Sequence, residues 1–275
     1  MPIIPMNNLL QAALDGGFAV GYFEAWDSYS LEAVLEAAEA EQSPVILGFG
    51  CVMADQTWLD EGQGVELWGA MARHAGERAQ VPVSLILNET NTYDQALRGI
   101  GAGFNCVMID TSDWPRQQAI DSLQQLVTRA HAAGVTVEAE LGRLPDAIFG
   151  GGIDHSKAFL TDPHDAAQFV KATGVDFFAP SIGNVHIYTG GVAEVDLDRL
   201  AAIYEATQVP LVIHGGTSFP PDAVAGAIAR GAAKFNVGTI LKVEFFSGLR
   251  EAASAWPAQV NVHDVLGSHK ATDIM

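Results

Sequence analysis

The sequence predicts an α/β protein built as a (β/α)8 TIM barrel, and three observations carry that prediction. Short apolar runs and longer amphipathic runs alternate strictly, about eight times over. The length, 275 residues, suits that fold. No Pro-, Gly- or Ser-rich linker interrupts the alternation, so residues 1–275 are expected to form one barrel domain, with a leading helix and a C-terminal tail.

The elements follow in order. A leading helix is expected over 7–15, then a compact apolar strand over 18–23 that ends at Glu24. An Ala/Glu/Leu-rich helix over 30–40 precedes the strand 44–49 and a helix from about 65 to 79. The strand 81–87 stops at Asn88-Glu89-Thr90, and a helix over 93–100 follows. The strand 106–109 stops at Asp110, and Pro115 opens the amphipathic run 116–133. The strand 136–141 carries Glu138 and Glu140 in alternation, on one face. After a Gly-rich loop over 142–160, Asp162-Pro163 caps a helix running to about 173. The strand 177–182, the loop 183–191 and a helix over 197–206 lead to Leu211-Val212-Ile213-His214, an apolar strand that delivers an imidazole at its carboxyl end. A helix over 221–229, the strand 233–237 and a helix from about 239 to 253 complete the pattern. The polar tail 261–275 has no assigned place.

Composition removes several function classes. The chain is 49% hydrophobic, enough for a large core, and its net charge of −19 with 14 basic residues argues against the clustered Lys/Arg surface that nucleic acids or anionic membranes need. Cys51 and Cys106 are too few for a disulfide framework and read as buried thiols. The start, Met1-Pro2-Ile3-Ile4-Pro5, has no basic segment and no apolar run approaches a membrane span, so a cytoplasmic location is the expectation.

In a parallel barrel the reactive groups lie at the carboxyl ends of the strands. By position those are Glu24, Asn88, Glu89, Asp110, Glu140, His186, His214 and Asn236. Two histidines and one carboxylate, His186, His214 and Glu89, make a three-ligand set for a divalent metal, zinc foremost and Mn, Fe or Co as alternatives. The opposing reading is a set of polar rim residues. Gly215-Gly216-Thr217-Ser218 and Asn236-Val237-Gly238-Thr239 follow the seventh and eighth strands, where barrels cradle phosphate with backbone N–H groups. Glu138 and Glu140 face one way and need a salt bridge or a metal; both readings stand.

The stretches GAGFNCVMIDTS (101–112), VEAELGRL (137–144), LTDPHDAAQFVKATGVD (160–176), IGNVH (182–186), PLVIHGGTS (210–218) and KFNVGT (234–239) together resemble the class II, metal-dependent ketose-bisphosphate aldolases, in particular the tagatose/fructose-bisphosphate branch. The resemblance implies zinc held by histidines, two of them His186 and His214, and polarising the ketone of dihydroxyacetone phosphate. It puts phosphate binding on Gly215, Thr217, Asn236 and Thr239, with Gly183 and Asp110 as further substrate contacts. Glu140 matches an acid tied to an alternative metal position. It also implies a homodimer or homotetramer and a small phosphorylated substrate.

The chain departs from that family at one half of the site. The family's His-Leu-Asp-His-Gly pattern reads Ile86-Leu87-Asn88-Glu89-Thr90, so its catalytic aspartate is Asn88 and its remaining zinc histidine is Glu89. The family's asparagine at the first strand end is Glu24, and a serine tied to a second phosphate falls at Gly50. The glycine after the sixth-strand histidine is Ile187, a nearby lysine is replaced near Thr189, and Asp154 is the nearest match to the acidic pair of a mobile loop. The expected function is an aldolase-like lyase acting through an enediolate on a phosphorylated, mono-phosphate ketose or related keto compound. Glu24, Glu140 or Asp154 would supply the proton transfer that Asn88 cannot. An epimerase, isomerase or decarboxylase on the same metal site is the alternative, as is a non-catalytic sugar-phosphate-binding relative.

Overall fold

A computed structural model describes residues 3–142, 144–148, 152–154, 159–256, 259–270 and 273. Eight parallel strands close into a barrel: β1 (Val20–Phe23), β2 (Val45–Gly50), β3 (Val83–Thr90), β4 (Cys106–Ile109), β5 (Thr136–Leu141), β8 (Phe177–Pro180), β9 (Leu211–Ile213) and β10 (Ala232–Val237). Closure comes from β1 pairing with β10, Val20 opposite Lys234 and Tyr22 opposite Asn236. A short antiparallel hairpin of β6 (Asp146–Ile148) and β7 (Gly152–Asp154) rises from the loop after β5. The Gly-rich composition there gave no alternation from which to expect it.

Helices α2 (Ser28–Ala40), α4 (Gly64–Arg78), α5 (Tyr93–Ala102), α6 (Arg116–Ala132), α7 (Pro163–Thr173), α8 (Leu197–Thr207), α9 (Val224–Ile228) and α10 (Thr239–Ala255) occupy the connections, with a further turn, α3 (Gln56–Asp60), after β2. The cap expected before α7 is present: the Asp162 carboxylate accepts from the N–H groups of His164 and Asp165, with Pro163 in the first turn. The helix expected over 221–229 divides into a 3-10 turn, Pro221–Ala223, and α9. Part of the tail forms one short helix, α11 (Val262–Val265). No described helix is long and apolar enough to cross a membrane.

Alternation along the strands sorts side chains between two apolar layers. Val45, Leu47, Phe49, Val83, Leu85, Leu87, Val137, Ala139, Phe178, Leu211 and Ile213 pack outward beneath the helices. Ile46, Ile86, Phe177, Ala179 and Val212 point into the barrel. There they meet Met6, Leu9, Leu10 and Ala13 of α1 (Met6–Gly16), which plugs the amino end. The segment before α1 is tied down at the same end, since Ile4 N–H donates to Val83 O and Ile4 O accepts from Ser84 and Asn105. With that end filled, the carboxyl end is where the barrel opens.

Two irregularities break the alternation, and both serve that open end. The register of β10 against β9 shifts between Ala232 and Lys234. Lys234 and Asn236 then face the interior while Phe235 joins the outer layer. On β3, Glu89 sits at φ +50 where the pairing with β4 shifts between Leu87 and Thr90. Strict alternation would send Glu89 outward like Leu87; the left-handed backbone turns it back beside Asn88.

Candidate active site

The carboxyl end of the barrel holds a cavity of about 400 Å³ lined by Tyr22, Glu24, Asn88, Glu89, Asp110, Glu140, His186, His214 and the turns after β9 and β10. Of the residues expected at the site, Gly215, Thr217, Asn236 and Thr239 are also in this lining. Gly183 is not. Its φ of +105 and the approach of the Glu194 carbonyl, 2.1 Å from where a Cβ would stand, account for the glycine by backbone packing alone. Asp154 lies in β7, and its side chain is outside the described residues.

Glu89, His186 and His214 come together as the sequence expected. One ligand atom from each lies within 4.8 Å of the others, and the Glu89 Oε1 to His214 Nδ1 distance is 3.2 Å. The two imidazole centroids are 5.9 Å apart. His186 is held by its backbone N–H, which donates to Pro145 O at 3.1 Å.

His214 is aimed by its far nitrogen. Nε2 is 2.9 Å from Glu138 Oε1, and the other Glu138 oxygen accepts from Lys234 Nζ at 2.6 Å. All three side chains are buried. With the Nε2 proton shared with Glu138, Nδ1 is the nitrogen that faces the cavity, free to bind a metal once its own proton is displaced. Nδ1 and Glu140 Oε2 are both buried and have no hydrogen-bond partner, 3.5 Å apart. Buried polar atoms left this way point to a missing ligand. Two imidazoles and a carboxylate with orphaned atoms beside them fit a divalent metal. The two readings of Glu138 and Glu140 thus separate: Glu138 is neutralised by a lysine, and Glu140 remains at the cavity.

The charges follow from burial and partners. Burial alone would lower His214, but the bond to Glu138 and the adjacent Glu89 carboxylate outweigh it and push the imidazole up to about 10 in the metal-free chain. Burial would raise Glu89, yet His214, His186 and Lys234 together hold it down to about 2. For Glu140 the compensation from His214 falls short: burial, reinforced by Asp110, Glu89 and Glu138, outweighs it and pushes the carboxyl up to about 8.

Glu24 lies on the other side of the cavity, raised by burial although Lys242 Nζ is 2.6 Å from Oε1. Its carboxylate fills the space over Gly50, where a Cβ would be 2.6 Å from Oε2. The glycine at 50 and the glutamate at 24 are therefore one change in packing terms: a side chain at 50 needs the room that Glu24 takes. Asp110 accepts from Ser112 N–H at 2.9 Å, which fixes the turn after β4.

The turns after β9 and β10 form a continuous cradle. Gly215 takes φ +70 with the Val185 carbonyl 2.3 Å from a notional Cβ, so only glycine fits. Gly238 precedes α10 and brings no side chain to cap it, and with Thr239 it lines the cavity; of the first-turn N–H groups, those of Leu241 and Lys242 donate to Gly238 O. Thr217 Oγ1 accepts from Ile240 N–H at 3.2 Å, and both polar atoms of the Asn236 amide are buried without partners. Sequence reasoning missed Tyr22, whose buried hydroxyl also lacks a partner, and Lys242. Tyr22 was accessible from the parity of β1; Lys242 sits one helical turn beyond Thr239, a spacing that could have flagged it.

The description "Fructose-bisphosphate aldolase class-II" belongs to a family model that matches residues 4–273. The chain is 33% identical over 277 residues to the "Probable fructose-bisphosphate aldolase" of Bacillus subtilis (strain 168), across 97% of this chain and 92% of that relative. It is 34% identical over 274 residues to the "Fructose-bisphosphate aldolase" of Geobacillus stearothermophilus, across 96% of this chain and 89% of that relative. Among solved structures, the YdjI aldolase from Escherichia coli K12 superposes with a TM-score of 0.79 at 27% identity, covering 95% of this chain and 89% of that one.

Proposed function

The chain belongs to the class II fructose-bisphosphate aldolase family, and from that premise we propose that it is a metal-dependent aldolase-type lyase for a ketose or related keto compound carrying one phosphate. The convergence of Glu89, His186 and His214 on the cavity that the start of α10 also lines is the observation that carries the reading. A divalent metal, zinc foremost and Mn, Fe or Co as alternatives, supplies Lewis-acid polarisation of a carbonyl when bound to these three residues. The N–H groups of the turns at Gly215 and Gly238, with Asn236, Thr217 and Thr239, bind the phosphate and set the position of the keto group.

In cleavage, the bond between the carbons α and β to the ketone breaks, and its electron pair stays on the α carbon as an enediolate. The β-hydroxyl proton leaves to the protein, an aldehyde departs, and a proton returns to the α carbon. Asn88 orients the hydroxyl but cannot take its proton. Glu140, pushed up to about 8, is protonated at neutral pH in the metal-free chain, and Glu24 is raised as well. These are the two described carboxyls suited to exchanging that proton. A cytoplasmic homodimer or homotetramer is part of the same reading, as the resemblance implies.

The substitution at Asn88 favours one second reading, an epimerase or isomerase that forms the enediolate without breaking the bond. Two measurements separate the readings. Metal-reconstituted protein in deuterated water with dihydroxyacetone phosphate is expected to exchange a methylene proton. With phosphoketoses, release of an aldehyde fragment supports the lyase; exchange without any aldehyde supports the second reading. Failure to bind stoichiometric divalent metal after reconstitution removes both.

A further inference from the structure

Ile187 follows His186 directly and takes a φ of +57. A β-branched residue is strained there, and glycine would not be. Core packing does not hold it in place, because its side chain is 49% exposed. Backbone strain of this kind persists where it serves a site. Ile187 lines the same cavity as Glu89, His186 and His214. So do Val52 and Met53 of the loop after β2, 41% and 68% exposed. Single exposed apolar residues need no explanation, but three converging on one cavity mouth beside a metal-ligand set do.

The charges on this cavity point the same way. Among the described residues lining it, Lys242 is the one lysine or arginine, and its ammonium is 2.6 Å from Glu24. Asp110 and Asp113 add negative charge to the lining. The turns after β9 and β10 can hold one anion, and among the described lining residues a second would meet apolar side chains and carboxylates.

We propose that Ile187, Val52 and Met53 form the subsite for the aldehyde half of the substrate, and that this half is an uncharged aldehyde with apolar surface. The inference rests on the lyase reading above and names the half of the substrate which that reading leaves open. In the synthetic direction the α carbon of dihydroxyacetone phosphate loses a proton, its electron pair forms the new bond to the aldehyde carbon, and the aldehyde oxygen takes up a proton. Ile187 and Met53 orient the incoming aldehyde and keep water from its apolar part.

The test uses the zinc-reconstituted full chain with dihydroxyacetone phosphate and, in parallel, butanal or glyceraldehyde 3-phosphate. The expected kcat/KM for butanal is at least about tenfold the higher, in line with discrimination by a few methylenes in an apolar pocket. Ile187→Gly is expected to raise the KM for butanal about tenfold, to lower the butanal-to-phosphoaldehyde ratio, and to raise the Tm by removing the strain. Met53→Ser, which leaves the backbone alone, is expected to lower the same ratio. A gain in Tm for Ile187→Gly with the ratio unchanged in both variants overturns the proposal. So does proton exchange on dihydroxyacetone phosphate accompanied by preferred condensation with the phosphorylated aldehyde, while the lyase reading survives. Absence of both exchange and condensation overturns the two together.

Discussion

At Asn88 the barrel carries an amide, which cannot transfer a proton as a carboxyl can. Its Oδ1 is buried without a partner, so the position can accept a carboxylate without steric change. Asn88→Asp is predicted to raise the rate of aldehyde release by about a hundredfold, the usual scale of a positioned general acid or base, measured on the same phosphoketose for both forms. Beside it, Glu89→Ala should weaken divalent-metal binding by more than about a hundredfold. Elemental analysis that still finds a full equivalent of metal in this variant would mean that the ligand set is wrong. His214 gives the sign of the pH dependence. In the metal-free chain the imidazole is pushed up to about 10, so at neutral pH an entering metal displaces its proton from Nδ1. Affinity is predicted to rise with pH by about tenfold per unit from neutral toward 10, with proton release visible in calorimetry by changing the buffer. The fold itself runs the other way. Without metal, the raised His214 contributes stability that is complete below about 6.5, the unfolded value, and disappears as pH rises through about 10. The raised Glu140 also loses stability on ionising toward about 8. Chelator-treated protein should therefore melt lower at pH 9 than at pH 6.

Among the elements, β10 does the most with the least regularity. Its shifted register turns Lys234 inward to Glu138 on β5, across the barrel. The pair is fully buried, so removing one partner leaves an uncompensated charge. Lys234→Met is predicted to cost about 3–5 kcal/mol, read from denaturant midpoints. Adding Glu138→Gln should restore much of that loss, since the orphaned charge is then gone as well. The double variant should still bind metal more weakly, because His214 Nε2 has lost its carboxylate. The strand thus links stability to the orientation of His214, the proposed metal ligand, and the partial recovery in stability without recovery in metal affinity tests the link.

For the whole molecule, a metal held by Glu89, His186 and His214, as proposed, would tie three parts of the barrel together: the ends of β3 and β9 and the loop after β8. A ligand that binds only the folded chain stabilises it by mass action, about 2.7 kcal/mol at a hundred times its Kd. For a chain of this size that predicts a rise of roughly 5–10 °C in Tm, absent in Glu89→Ala. The plug formed by α1 closes the amino end and commits the opposite end to ligands, so the cavity's place on the molecule follows from the core. With a net charge of −19, the phosphate binding proposed here would fall to backbone N–H groups at the turns after β9 and β10, groups that carry no formal charge to be cancelled.

The barrel was legible because each strand and each helix announces itself locally, through apolar runs, caps such as Asp162-Pro163, and Gly turns. For the same reason the ends of the strands, and with them the place of Glu89, His186, His214, Gly215 and Gly238 around one cavity, could be read from spacing and resemblance. What spacing cannot encode is contact between distant residues and departure from backbone periodicity. Period two sends Glu89 outward, and only its φ of +50 brings it to the histidines. Lys242 reaches Glu24 across 218 positions, and Lys234 reaches Glu138 across 96. Ile187 reads as an ordinary loop residue until its strained backbone and exposed side chain appear together. The sequence by itself determined the barrel and the end at which its histidines and carboxylates gather, because those depend on local pattern. The tertiary structure alone decided which carboxylates are neutralised, which remain for chemistry, and what lines the cavity mouth, because those depend on closure of the barrel.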